Sequence, residues 1–177
     1  MTVAAYWPPQ AAIAPGPPPT WRDVYDPYTE MPPQVREWTC SACSLDWVLR
    51  ATGAQPDSTR EQVVGELGYG DVCGPGVGIS PAQGLCDAGG SQVIRVLGEH
   101  GLEAHQAWLG FDQVYEAAGS TTGMMSGAAW YHWVGLRGRS GANLWIANSA
   151  PGYQGVWDVL TRQDFQRLGG FSVVLLV

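Results

Sequence analysis

A cysteine, a histidine and an asparagine lie in this chain at positions that suit nucleophilic catalysis. Cys40 begins a predicted helix, where the helix dipole and the first backbone N–H groups stabilise a thiolate. Such a cysteine needs a base, a residue that orients the base, and donors for the oxyanion. His132, in a predicted strand, is the candidate base, and Asn148, at the end of the next predicted strand, would fix its tautomer. Gln34 would bind the oxyanion through its side-chain amide, together with the Cys40 backbone N–H.

The four cysteines allow three other interpretations. Cys40 and Cys43 have the spacing of half a zinc site, but Cys73 and Cys86 are separated by twelve residues and form no second tight pair. The first pair could also be a redox dithiol, although a proline-rich segment precedes it instead of a βαβ unit. A buried structural role for all four thiols is the remaining interpretation. We expect no metal and no cofactor.

The elements that must position these residues are predicted to be helices first and strands later. Helices are predicted over residues 40–52, 58–67, 80–88, 91–101, 111–118 and 161–168, and strands over 102–108, 128–136, 143–148, 155–160 and 171–177. Ser58 and Glu61 have the spacing of a capping box for the second helix. Residues 68–79 hold five glycines and are predicted to be a loop. This loop and the Gly- and Ser-rich segment 119–127 could border the groove or move over it. This order is typical of an α+β fold.

The first 33 residues are predicted to be an extended arm, because they hold nine of the thirteen prolines. The folded domain is then residues 34–177. One interpretation of the arm is a flexible tail. The other is an arm that docks on its own domain or on a neighbouring protein, which is favoured by a number of aromatic residues that is unusual for a flexible segment. These aromatic residues are Tyr6, Trp7, Trp21, Tyr25 and Tyr28.

The charge composition excludes several classes of function. All nine basic residues are arginine, and sixteen acidic residues give a net charge of −7, which argues against nucleic-acid binding and an electrostatic membrane anchor. Without lysine there is no Schiff-base chemistry and no lysine general base. Since His132 is the only well-placed histidine, a nucleophilic mechanism has to use it as the base. No apolar run spans a membrane and no signal peptide is recognised, so we expect synthesis in a cytosol with reduced thiols. The absence of lysine also suggests a GC-rich genome, such as that of an actinobacterium or its phage.

The segment that contains Cys40 resembles the nucleophile segment of papain-like cysteine peptidases, and is closest to the branch that includes bacteriocin-leader peptidases. It has Gln34, five intervening residues, the cysteine at a helix start, and then Cys-Ser-Leu-Asp-Trp-Val-Leu. Later come His132 after aromatic residues, and Asn148 before a Pro-Gly turn. The resemblance covers about residues 34–177. It implies an α+β papain-like domain, with a helical N-terminal half that carries the nucleophile and a C-terminal antiparallel sheet.

Three positions depart from the pattern of this family. Ser41 stands where the family often has glycine, and Asn148 stands where this branch commonly has aspartate. Cys43 is an alternative nucleophile, but Glu37 would then occupy the oxyanion position and its carboxylate would repel the developing negative charge. We therefore prefer Cys40.

The resemblance implies a hydrolase of peptide or isopeptide bonds in a peptide or protein substrate. The Cys40 thiolate would attack the carbonyl, and His132 would carry the proton to the leaving amine. Trp38 and Trp133 would either wall the cleft or fill the core. The alternative is a catalytically silent papain-like module of a larger assembly such as a phage virion, into which residues 1–33 would fasten the domain by protein contacts.

Overall fold

The computed structural model describes residues 40–68, 90–127, 132–149 and 158–177. Within these ranges the chain forms five α-helices and six β-strands. The helices are α1 Cys40–Thr52, α2 Arg60–Glu66, α3 Gly90–Glu99, α4 Phe111–Ala117 and α5 Arg162–Arg167. The strands are β1 Ala104–Leu109, β2 Gly123–Gly127, β3 Trp133–Ser140, β4 Asn143–Ala147, β5 Asp158–Leu160 and β6 Phe171–Leu176.

The six strands form one sheet in the order β1-β6-β2-β3-β4-β5, and every neighbouring pair is antiparallel. The last strand, β6, is inserted between β1 and β2. This interior position suits its sequence, because Val173 and Val174 point to opposite faces of the sheet and both are fully buried. The predicted α+β class is confirmed.

Helices cover both faces of the sheet and create two apolar cores. On one face Met124 packs in a core with α1, α2 and α3, and on the other face its neighbour Met125 packs in a core with α4 and α5. Both faces of the central strands are therefore apolar. A slip by one residue would exchange the two sets of side chains, so this packing specifies the register of the strands.

Helix α1 is embedded between the sheet and the other helices of its layer. All its residues from Cys40 to Leu49 are buried, and Leu45, Val48 and Leu49 are completely so. The helix ends before Gly53, whose φ of 74° is the left-handed conformation that glycine adopts readily after a helix. The helix that begins with Cys40 is therefore packed against other parts of the protein around its whole circumference over residues 40–49.

One predicted feature is wrong in detail, and one strand was not predicted. Thr59, rather than Ser58, caps α2, because its side chain accepts a hydrogen bond from the Gln62 N–H while Ser58 is buried. The Gly- and Ser-rich segment 119–127 contains the unpredicted strand β2. Gly123 in this strand reflects close packing, since a β-carbon there would lie 1.9 Å from the backbone oxygen of Val174 in β6.

Several predictions lie outside the described residues. These include the arm 1–33, the domain boundary at residue 34, the helix 80–88 and nearly all of the loop 68–79. The other predicted helices and strands agree with the structure to within a few residues, except strand 128–136, of which only the part from residue 133 is seen in β3. Within the four described ranges, no helix is both long and apolar enough to cross a membrane.

Candidate active site

The two neighbouring strands β3 and β4 bring His132 and Asn148 together. His132 directly precedes β3 and Asn148 directly follows β4, so His132 lies one residue outside the strand rather than within it as predicted. The strands pair in antiparallel fashion, with Gly135 opposite Ala147, so the start of one meets the end of the other. The His132 Nε2 atom lies 2.8 Å from Asn148 Oδ1, although 16 positions separate the two residues.

The Asn148 contact determines the tautomer of the imidazole. An amide oxygen only accepts hydrogen bonds, so His132 Nε2 must carry the hydrogen and donate it. In the neutral ring the lone pair is then on Nδ1, which is the nitrogen that can take a proton. The arrangement is the one that a general base requires.

Burial keeps His132 neutral at physiological pH. The side chain is 5% exposed, and this burial lowers its pKa from 6.5 to about 4, while the hydrogen bond to Asn148 acts in the opposite direction. The imidazole is therefore in its basic form at pH 7. A positive charge on it becomes favourable when a negative charge forms beside it.

Helix α1 places Cys40 at the same end of β3 as His132. The Ser44 hydroxyl donates a hydrogen bond of 3.0 Å to the Trp133 carbonyl, and three residues later the Trp47 indole lies against β3. The helix therefore runs alongside the strand in the same direction. Cys40 lies one turn before Ser44 on the same face of the helix. One turn advances about 6 Å along the helix axis, which is close to the length of about two residues in a strand. Cys40 therefore lies toward the start of β3, which is the end of the strand that His132 precedes.

Two solved structures share this arrangement of helices and sheet. A double glycine motif protease from an AMS/PCAT transporter, solved in complex with its leader peptide, has a TM-score of 0.57 and 19% identity, over 81% of this chain and 88% of that chain. The peptidase domain of Streptococcus ComA, a bi-functional ABC transporter involved in a quorum sensing pathway, has a TM-score of 0.58 and 12% identity, over 83% and 97%. This chain has the papain-like fold of the double-glycine peptidase domains.

At these identities the similarity establishes the fold, and the predicted papain-like fold is confirmed. No protein-family model matches the sequence, and no curated protein matches it either. The predicted phage source stays a prediction. The helical half that begins with Cys40 and the antiparallel sheet that carries His132 and Asn148 are the two halves expected of this fold.

Cys43 lies within the papain-like fold as a buried thiol. It is completely buried, and this burial, with a further contribution from nearby Cys40, raises its pKa from 9.0 to about 12. The charge of Arg60 and the nearby hydroxyl of Ser149 oppose this shift only in part. Because a thiolate is the nucleophile in cysteine catalysis, these properties favour Cys40 over Cys43.

Other predicted site residues lie outside the described part of the chain. They are Gln34, Glu37 and Trp38 before α1, and Pro151 and Gly152 after Asn148. The oxyanion role of Gln34 therefore stays a prediction. Trp133 is 3% exposed and packs in the core with α1, so it fills the core rather than lining the cleft.

The described residues contain no group of three or more His, Cys, Asp or Glu side chains that could hold a metal ion. Cys73 and Cys86, which the zinc interpretation would need, lie outside these residues. Cys40 and Cys43 are both thiols rather than members of a disulfide.

The sequence analysis missed two serines of this papain-like domain. Ser44 contacts the residue after His132, and Ser149 contacts Cys43 from the position after Asn148. A signal was present for Ser44, because a residue four positions after Cys40 lies on the same face of the helix. Ser149 was read only as part of a turn, since nothing local shows that a strand end meets a helix.

Proposed function

We propose that the chain is a cysteine peptidase that cleaves a peptide bond through Cys40, His132 and Asn148. The observation that supports it best is the Nε2–Oδ1 pair of His132 and Asn148, formed where β3 and β4 meet at the Cys40 end of α1. Asn148 leaves the imidazole with its basic nitrogen at Nδ1. The neutral state of the buried imidazole suits a base that takes up a thiol proton during the reaction.

In the first half of the reaction His132 Nδ1 takes the proton from the Cys40 thiol, and the sulfur attacks the substrate carbonyl carbon. The carbonyl oxygen becomes an oxyanion that the Cys40 N–H and the Gln34 amide bind. The imidazolium then donates its proton to the leaving nitrogen, the C–N bond breaks, and an acyl-enzyme thioester remains. Because Cys40 lies in the first turn of α1, the helix dipole stabilises the negative charge of its thiolate.

In the second half a water molecule attacks the thioester while His132 Nδ1 accepts its proton. The C–S bond breaks, and the peptide acid leaves. The proton returns to the Cys40 sulfur, which restores the starting state. Throughout, Asn148 Oδ1 holds the Nε2–H, so the ring keeps the same orientation for each transfer.

The first substrates to test are peptides with a double-glycine motif, because one solved neighbour is a double glycine motif protease in complex with a leader peptide. The full chain is incubated with such peptides, and the products are identified by mass spectrometry. We expect Cys40→Ala and His132→Ala to abolish cleavage. The matched control is His105→Ala, which removes an exposed imidazole from β1 and should leave cleavage unchanged.

A test that is independent of substrate uses iodoacetamide between about pH 5 and pH 8. We expect fast alkylation of Cys40 that becomes slow in His132→Ala, while Cys43 reacts only after denaturation. At pH 7 a thiol with a pKa of about 12 is ionised in roughly one molecule in 10⁵. Equal and slow alkylation of both cysteines in the native protein would rule out the catalytic proposal.

The second candidate is a catalytically silent module of a larger assembly, which the proline and aromatic content of residues 1–33 favours. This proposal expects no cleavage and no selective alkylation, and it assigns the binding role to the arm. Deletion of residues 1–30 should then abolish incorporation into the assembly and leave the domain folded. Normal incorporation of the shortened chain would contradict it.

A further inference from the structure

Ser44 connects helix α1 to the backbone beside the candidate base. Its hydroxyl donates a hydrogen bond of 3.0 Å to the carbonyl of Trp133, the residue that follows His132. Both Ser44 and Trp133 are buried, so water does not compete for this bond. Because Ser44 is one helical turn after Cys40, the bond couples the position of the nucleophile to the position of the imidazole.

Cys43 makes a second connection, to the other strand. Its sulfur lies near the hydroxyl of Ser149, the residue that follows Asn148. Both side chains are completely buried. Cys43 lies three positions after Cys40, so this contact couples the end of β4 to the same turn of α1 that carries the nucleophile.

We propose that Cys43 and Ser44 are positioning residues for the reaction, which hold the imidazole–amide pair in register with the nucleophile. Each anchors the residue next to one partner of that pair, and neither contacts the substrate in the mechanism above. The inference rests on the proposed function, since it takes Cys40 as the nucleophile and His132 as the base. Both anchors are neutral, so they fix positions without adding a charge to the site.

The physical reason is that proton transfer depends steeply on position. A misplacement of about 1 Å can lower the rate of an enzyme by about a hundredfold. The two strands are joined to each other by backbone hydrogen bonds, but their register to α1 depends on side chains. Loss of an anchor would let the strand ends shift relative to Cys40 while the sheet stays intact.

The test compares Ser44→Ala and Ser149→Ala with a matched control, Thr122, whose hydroxyl also bonds to β3. Thr122 also donates its buried hydroxyl to a carbonyl of β3, that of Leu136, at 2.6 Å, but away from the site. Thr122→Val removes this hydroxyl with little change of shape. The measurements are the rate of Cys40 alkylation by iodoacetamide against pH and, for each variant, the free energy of unfolding.

We expect both serine variants to alkylate Cys40 about ten- to a hundredfold more slowly at pH 6, with a pH profile that approaches that of an ordinary thiol. The Thr122→Val control should stay within about twofold of the wild type, even where its loss of stability is the same. If the serine variants alkylate as fast as the control while the wild type reacts selectively at Cys40, this inference is overturned and the proposed function stands. If the wild type itself shows no selective reaction, both are overturned.

A second pair of variants tests the anchor at Cys43 in case a serine variant does not fold. Cys43→Ser keeps a group that can hydrogen-bond with Ser149, whereas Cys43→Ala does not. We expect Cys40 to react several times faster in Cys43→Ser than in Cys43→Ala. In ¹⁵N NMR spectra, the His132 Nε2–H signal should shift more in Cys43→Ala. Equal rates and equal spectra in the two variants would overturn the role of Cys43.

Discussion

The indole of Trp47 lies against the backbone of Gly135, where a β-carbon would come within 2.4 Å of the ring atom Cε3. Trp47 is completely buried in α1, and Gly135 lies in β3. This contact sets the distance between the helix that begins with Cys40 and the strand that follows His132. A side chain at position 135 would therefore move the two halves of the site apart.

Replacement of Gly135 by alanine should destabilise the domain, because a buried ring cannot move away without disturbing its neighbours. The expected loss in the free energy of unfolding is about 1–3 kcal/mol, and peptide cleavage should fall as well. Denaturant titration measures the first effect. The control is Gly98→Ala in α3, where a β-carbon would meet nothing within 4 Å. That change should stabilise by about 0.5–1 kcal/mol, so effects of the same sign would contradict this explanation.

Replacement of Asn148 by aspartate should raise the pKa of His132 from its value of about 4. A carboxylate in place of the amide oxygen favours the imidazolium, by the attraction between opposite charges. NMR titration of the His132 ring measures the pKa. Asn148→Ala is the comparison variant, since it removes the acceptor at 2.8 Å without adding charge and should lower the pKa further. A pKa that moves in the same direction in both variants would contradict the assigned hydrogen bond.

The stability of the domain should fall as the pH drops from about 6.5 to about 4, and His132 is one cause. Its pKa is about 4 in the folded protein and near 6.5 in the unfolded chain, so the unfolded state binds more protons in this range. The contribution is fully present above pH 6.5 and is lost toward pH 4, by an amount on the order of 3 kcal/mol. Urea titrations at several pH values should show a shallower dependence in His132→Gln than in the exposed-residue control His105→Gln. The same slope in both variants would exclude His132 as the cause.

Arg50 neutralises the buried carboxylate of Asp46, to which it donates a hydrogen bond of 2.9 Å. Burial raises the pKa of Asp46, and the Ser58 hydroxyl and Arg50 oppose this shift. Arg50→Gln should cost about 3 kcal/mol of stability at pH 7, because a buried charge loses its partner. The loss should shrink in acid, where Asp46 is protonated.

The control for this ion pair is Glu99→Gln, which breaks the pair of Arg95 and Glu99 at the same spacing in α3. Both of those side chains are about half exposed, so the expected loss is less than about 0.5 kcal/mol. Urea titration of the two variants at pH 7 and at pH 4 measures the difference. Similar losses in the two variants would show that burial does not determine the strength of the Asp46 pair.

The local elements could be predicted from the sequence because their signals are local. The helix over residues 40–52 is predicted from its apolar face and from Gly53, and the structure has α1 over the same residues. Strand β2 was not predicted, because its signal depends on residues far away in the sequence. Gly123 gives no strand signal when its neighbours are unknown, and its role depends on the backbone of β6, about fifty residues later.

By itself, the sequence determined the residue types that can do chemistry and the elements on which they lie, because side-chain chemistry and helix signals need no distant partner. Only the tertiary structure decided which of them meet. The pairing of β3 with β4 brings His132 to Asn148, and burial makes the Cys43 thiol a far weaker acid than an ordinary one. Strand pairing and burial depend on contacts between residues far apart in the chain, so no local pattern encodes them. For the same reason the Ser44 and Ser149 contacts appear only in the folded protein.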